Sequence, residues 1–317
     1  MATLKDISTE AGVSIRTVAR VLKNEPHISE KVKIKVEKAL NKLDYVPNIL
    51  ASSLKTKKTG LFGIITSDLE LQVNVRKLSS LHKASQRNGF RAIVGFADRS
   101  EETERKLIEE YSILCDGVLF LNSPFDKNLK FIRRLKVPFV LVDSNSKQDT
   151  AVAVNREVGV IEALNCLNEK YQKKVLLTFS DKPDEVRTLA FKKAVKGPSK
   201  VITFDFDYQG NFDKAQKILE SELKKGVLFI CSNDRIASVV FRCVYESSFV
   251  VPEDIGIVGF DNDDFTQLSP QPFSTVSQPV EEMAEKSISL LLKLIDKESD
   301  VKNVSVDTFY LARSTTK

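Results

Sequence analysis

Two histidines and four cysteines among 317 residues leave this chain short of the usual side chains for metal binding and nucleophilic catalysis. His27 and His82 lie far apart, so a His-based metal site or a Ser-His-Asp triad is hard to assemble. Cys115, Cys166, Cys231 and Cys243 form no C-x-x-C pair, and each sits in an apolar run. That is the pattern expected of reduced, buried thiols in a cytoplasmic protein. No apolar run approaches the roughly eighteen residues of a membrane span, and the first ten residues lack a basic segment followed by an apolar one. Neither a membrane partner nor export is expected. No G-x-G-x-x-G follows a strand and no Walker sequence occurs, so no cofactor is expected.

What is present is a lopsided charge. The first sixty residues hold twelve Lys/Arg against six Asp/Glu, a net +6, whereas the whole chain is +5. Residues 61–317 therefore carry −1, and the surplus positive charge belongs to one short N-terminal segment. A basic head on an electrically balanced body suits a polyanion. At 317 residues and 42% apolar, the chain has room for two or three domains.

In the head, Leu4, Ile7 and Ala11 recur at helical spacing, Gly12 permits a sharp turn, and Ser14 stands where a second helix would be capped. Val18, Val21 and Leu22 then face the first helix, leaving Ile15, Arg16, Thr17, Arg20 and Lys23 outward. A surface helix with Ile and Arg in its first turn fits a DNA major groove, where Arg forks to guanine O6 and N7. Ser29 opens a third helix whose Val32, Val36, Ala39, Leu40 and Leu43 complete a small core. Its Lys31, Lys33 and Lys35 suit either a solvated face or general phosphate attraction. Asn48–Thr56 reads as a helix too short to be stable alone in water, beside a basic linker. Leu54 there would either wedge between base steps or touch the body.

From Leu61 short β-rich runs alternate with amphipathic stretches. Strands are expected at Leu61–Thr66, Ala92–Phe96, Gly117–Leu121, Phe139–Val142, Lys174–Thr178, Lys200–Phe204, Val227–Cys231 and Ile255–Phe260. Helices between them include Lys77–Asn88, Glu102–Leu114, Glu157–Asn168, Val186–Val195 and Phe212–Lys224. Continuous apolar strands in βα alternation imply parallel sheets covered on both faces, here in two halves. Ligands in such folds sit beyond the C-terminal strand ends. Polar residues gather there: Ser67-Asp68, Asn122, Asp143, Asn233-Asp234 and the acidic run from Asp261 to Asp264. The run lacks the alternation of a Ca²⁺ loop and reads as a solvated turn with one member facing a cleft.

The segments Ala11-Gly-Val-Ser-Ile-Arg-Thr-Val-Ala-Arg-Val-Leu22, Tyr45-Val-Pro-Asn48 and Ala51-Ser-Ser-Leu-Lys-Thr56 resemble the head and hinge of the LacI/GalR family of bacterial transcription regulators. The body is similar to that family's periplasmic-binding-protein-like core at Cys231–Ala237, Val251–Asn262 and Phe273–Val280. The fold implied is α/β: a small all-α helix-turn-helix head plus a core of two doubly wound parallel-sheet subdomains. Its expected boundaries are a DNA-binding domain at 1–46, hinge helix and linker at 47–60, and an effector-binding and dimerisation core at 61–317. Within the core, the N-subdomain would take about 61–151 and 280–304, and the C-subdomain about 152–279 and 305–317.

The resemblance implies that Ile15, Arg16 and Arg20 read bases, that Ser14, Thr17 and Asn24 position phosphates, and that Leu54 is a minor-groove lever, with Thr3, Ala51 and Lys55 as further DNA contacts. It also implies that Asp68, Asn122, Asp143, Arg187, Tyr208, Asn233, Asp261 and Gln278 line an interdomain cleft suited to sugar hydroxyls. The partners implied are double-stranded operator DNA, a sugar or sugar-derived effector, and a second copy of the chain. No heptad-bearing tail precedes Lys317, which favours a dimer over a tetramer. Three positions depart from the family's usual pattern. Ala19 stands where Ser is common, Leu69–Asn74 replaces an Asn-Pro-Phe-Phe-like segment, and Val154 stands where Asp is common. The alternatives are an exported sugar-binding protein, which the basic head disfavours, and an enzyme fused to a DNA-binding module, for which the sequence offers no catalytic constellation.

Overall fold

The computed structural model describes residues 2–22, 25–45, 58–179, 185–203, 212–299 and 301–317, with only the backbone at 212–215. It divides into two compact units, 1–59 and 60–317. In the first unit, α1 (Leu4–Ala11), α2 (Ile15–Leu22) and α3 (Glu30–Lys42) surround one small core. Ile7, Val18 and Val36 are fully buried, joined by Ala11, Val21 and Ala39. Thr3 and Asp6 close a capping box on α1: the Thr3 hydroxyl accepts the Asp6 N–H, and the Asp6 carboxylate accepts the Thr3 N–H at 2.8 Å. Gly12, at φ +63°, takes the left-handed turn between α1 and α2 that a β-carbon would strain. Ser14 starts α2 as expected, its hydroxyl accepting the Thr17 N–H at 3.1 Å. Ser29 precedes α3 but makes no side-chain cap.

The second unit opens with β1 (Leu61–Thr66), α4 (Gln72–Arg87), β2 (Arg91–Phe96), α5 (Glu101–Leu114), β3 (Gly117–Leu121), α6 (Asp126–Leu135), β4 (Phe139–Val142) and β5 (Ala151–Asn155). The chain then crosses to a second lobe. There it forms α7 (Arg156–Leu167), β6 (Lys173–Thr178), α8 (Val186–Ala194), β7 (Ser199–Thr203), α9 (Phe212–Glu220), β8 (Val227–Cys231), α10 (Asp234–Tyr245), β9 (Ile255–Asp261), α11 (Asp264–Leu268) and β10 (Ser274–Ser277). It returns through α12 (Val280–Ile295) and β11 (Val304–Asp307), and finishes as β12 (Phe309–Leu311) in the second sheet.

The two six-stranded sheets run β11-β5-β4-β3-β1-β2 and β12-β10-β9-β8-β6-β7. All pairings are parallel except β10 with β12. The apolar runs at β3, β8 and β9 are buried along their whole length because helices cover both faces. One apolar cluster fills each side of each sheet. In the first lobe, Met283, Ala284, Ile288 and Leu291 of α12 pack over Leu119 and Val140.

The chain crosses between the lobes three times, after Asn155, after Ser277 and after Asp307, and the first and last crossings run together because β5 and β11 pair with each other at the edge of the first sheet. They lie side by side and are stitched together by Thr308, whose hydroxyl donates to the Asn155 carbonyl at 2.8 Å and accepts the Gly159 N–H at 3.0 Å. A β-carbon on Gly159 would fall 2.3 Å from Val276 Cγ1 on β10 and 2.8 Å from the Thr308 hydroxyl, so glycine is what lets α7 approach both β10 and the crossing. Two further expectations change. The helix expected from Lys77 begins at Gln72, which moves Lys77 from its start to its buried interior. Cys166 is exposed on the outer face of α7, while the other three thiols are buried.

Candidate nucleic-acid interface and ligand cleft

In the head, α2 buries Val18 and Val21 and turns its other face outward. Ile15 is 47% exposed, an unusual position for a large apolar side chain, and Arg16 is exposed beside it without an ion pair among the described residues. Ser14 and Thr17 share a hydroxyl–hydroxyl hydrogen bond of 2.8 Å at the start of the same helix. Arg20 is held back, its Nε donating to Glu25 at 2.9 Å. Asn24, Ala51, Leu54 and Lys55, with the short helix expected over 48–56, lie outside the described residues.

In the body, the C-terminal ends of β1, β3 and β4 in the first sheet and of β8 and β9 in the second border one cavity of about 460 Å³. Seven of the eight cleft residues expected from sequence line it: Asp68, Asn122, Asp143, Arg187, Asn233, Asp261 and Gln278. The eighth, Tyr208, lies outside the described residues. Asn122, Asp143 and Asp261 stand at positive φ (+79°, +59° and +105°) where the chain turns off its strands. Asn and Asp are the non-glycine residues that best tolerate this backbone, which here aims a polar side chain at the cavity.

Asp143 anchors the first-lobe side. Its Oδ2 accepts from Lys77 Nζ and from Arg156, each at 2.6 Å, while Oδ1 is buried without a partner among the described residues. Burial pushes the Asp143 carboxyl up, but Lys77 and Arg156 pull harder and hold it at about 2. On the second-lobe side, Arg187 donates from Nε to Glu185 at 2.7 Å and from Nη1 to the Ser232 carbonyl at 2.6 Å. Its guanidinium lies 4.9 Å from the Phe179 ring centre and 5.3 Å from that of Phe260. Burial raises Glu185, and Arg187 brings it below the ordinary range. Gln278 donates to Asp261 and leaves its own Oε1 buried and unpaired among the described residues. Asn233 caps α10 by accepting the Ile236 N–H at 2.8 Å. Asp68 accepts the Glu70 N–H at 2.8 Å and pairs with Arg99 at 2.9 Å.

Sequence reading missed Lys77, Arg156, Glu185, Asn74 and Phe179, all of which line the cavity. Lys77 and Arg156 carry no local signal, since each looks like an ordinary helical cation until the fold brings it to Asp143. Two more arginines tie the lobes across the mouth. Arg76 donates to the Asp261 and Asn262 carbonyls at 3.0 and 2.6 Å, and Arg235 donates to the Glu70 carbonyl. Behind this rim, Asp234 is fully buried, accepting the Thr275 hydroxyl and the Asp263 N–H, each at 2.7 Å. Burial and the neighbouring Asp261 hold it well above the ordinary carboxylate range. Burial and the same neighbour raise Asp263 to about 6. No group of three or more His, Cys, Asp or Glu among the described residues is placed to hold a metal.

Residues 3–48 match the LacI family of bacterial regulatory proteins, and residues 163–316 match the periplasmic-binding-protein-like domain. The chain belongs to the LacI family. It is 29% identical to the HTH-type transcriptional regulator RegA of Clostridium saccharobutylicum over the whole of both chains. It is 26% identical to the ribose operon repressor of Escherichia coli over 93% of each. Its fold is similar to that of the lac repressor dimer bound to operator and the anti-inducer ONPF, with a TM-score of 0.83 over 99% of both chains at 23% identity. This LacI-family chain is accordingly a DNA-binding transcriptional regulator and not an enzyme. No helix among the described residues is long and apolar enough to cross a membrane.

Proposed function

We propose that this chain is a cytoplasmic repressor of carbohydrate-metabolism genes that binds a pseudo-palindromic operator as a homodimer. The observation that carries the proposal is the first turn of α2, where Ile15 and Arg16 stand exposed on a helix whose opposite face is buried. Two copies would place two such helices in successive major grooves about one turn apart. Ile15, Arg16 and Arg20 read bases, with Arg20 exchanging Glu25 for DNA. Ser14, Thr17 and Asn24 position phosphates, and Thr3 adds a further contact. Residues 47–60 form the hinge and linker, through which Ala51, Leu54 and Lys55 reach the minor groove. A sugar or sugar derivative in the cleft of the body shifts the balance between lobe arrangements. It releases or tightens DNA according to which arrangement it binds better.

Support for the small-molecule part comes from the convergence of seven polar side chains on one cavity and from a relative named for the ribose operon. Selection from random oligonucleotides at moderate ionic strength tests the DNA-binding part. A two-fold symmetric consensus is expected, with affinity falling steeply as salt rises. Absence of any sequence preference, with or without candidate metabolites, overturns the proposal.

A further inference from the structure

We infer that the cleft selects an uncharged, hydroxyl-rich ligand and rejects its phosphate esters, an inference that rests on the cleft being the effector site. Two atoms in the lining are buried and lack a hydrogen-bond partner among the described residues, Asp143 Oδ1 and Gln278 Oε1. Both side chains are more than nine-tenths buried and both line the cavity, one from each lobe. Both atoms are acceptors. A buried acceptor without a donor is costly, and hydroxyl protons are the natural remedy. Gln278 cannot turn its amide to offer a donor without giving up the bond from its Nε2 to Asp261. Asp143 cannot take up a proton near neutrality, because Lys77 and Arg156 hold it charged.

The cations of the lining are Lys77, Arg156 and Arg187 among the described residues, and each is committed to a carboxylate of the chain. Lys77 and Arg156 bond Asp143 at 2.6 Å, and Arg187 bonds Glu185 at 2.7 Å. Against these three stand four lining carboxylates: Asp68, Asp143, Glu185 and Asp261. A phosphate bound by any of these three cations would have to break an ion pair and then face the carboxylate it displaced. A neutral polyol instead supplies a proton to each lobe's orphaned acceptor and leaves every pair intact. Because those acceptors lie on opposite lobes, such a ligand also bridges them.

The test uses the full-length protein in a thermal-shift screen, followed by calorimetric titration. The panel holds free aldopentoses, aldohexoses and disaccharides, the terminal phosphate esters of the same sugars, and free purine bases. A free sugar is expected to raise the melting temperature, and its phosphate ester to bind at least about tenfold more weakly. Gln278→Leu, which deletes one orphaned acceptor, should weaken the sugar by about tenfold. Glu185→Gln keeps the cap on α8 but frees Arg187, so it should raise the affinity for the ester relative to the free sugar. An ester or a flat purine base that binds as tightly as any free sugar overturns this inference and leaves the cleft as the effector site. Failure of every compound, with the protein folded, overturns the effector-site reading as well.

Discussion

Arg16 and Lys77 are both helical cations, one in each compact unit, and they stand in opposite environments. Arg16 is exposed and carries no ion pair among the described residues, whereas Lys77 is 2% exposed and locked to Asp143. The head spends its positive charge outward on a core of six buried apolar residues. The body, built on four larger apolar clusters, buries charge at the cleft and neutralises it there in ion pairs. An exposed cation is available to a polyanion, while a paired one can only shape a cavity.

The largest expected effect lies on the buried side. Asp143→Ala strands Lys77 and Arg156 without their shared partner and should cost about 3–5 kcal/mol in urea unfolding of the body. A loss under about 1 kcal/mol would mean that the triad is not dry. Next is Ile7→Ala, which removes the centre of the head core and should cost about 2–5 kcal/mol there. Since that exceeds what so small a core can spare, operator binding should vanish while the body's melting transition stays in place. A joint loss of both transitions would refute the independence of the two units. Arg16→Ala should leave both folds intact, cost about 1–3 kcal/mol of DNA affinity and relax one base preference per half-site. Uniform weakening across all sequences would make it a phosphate contact instead.

The smallest effect is one of pH. Asp263 has a raised carboxyl in the folded protein, so it favours the native state when protonated, and that stability is lost as pH rises through about 6. Asp143 works in the opposite sense, its contribution fading only as pH falls toward about 2. Between about pH 4 and 6 the melting temperature of Asp263→Asn should therefore change less with pH than that of the parent. Parallel curves would show that Asp263 does not titrate there.

Regular apolar runs made the eight expected strands legible, because β-branched and aromatic runs bounded by turns point to few alternatives. The four strands that went unread are short or mixed. Ser274–Ser277 is almost wholly polar, and its strand identity comes from pairing with β9 rather than from its own pattern. Phe309–Leu311 is three residues long and pairs antiparallel in an otherwise parallel sheet. The start of α4 was missed because Leu71 caps it without a side-chain hydrogen bond, so no Ser, Thr, Asp or Asn marks it. In the cleft, Asp68, Asn122, Asp143 and Asp261 could be found because strand ends are predictable places. Lys77 and Arg156 could not, since what distinguishes them is a partner 66 and 13 residues away.

The stitching of the first and last of the three crossings by Thr308 has a mechanical consequence. A single strand joining the lobes would let one spin on the other as freely as it tilts. Two adjacent strands bonded through Asn155, Thr308 and Gly159 form a flat strap, which bends about one axis and resists torsion. Motion at the mouth of the cleft is thereby channelled into opening and shutting, so that a small shift at the cavity reaches the far end of the first lobe as a change of angle.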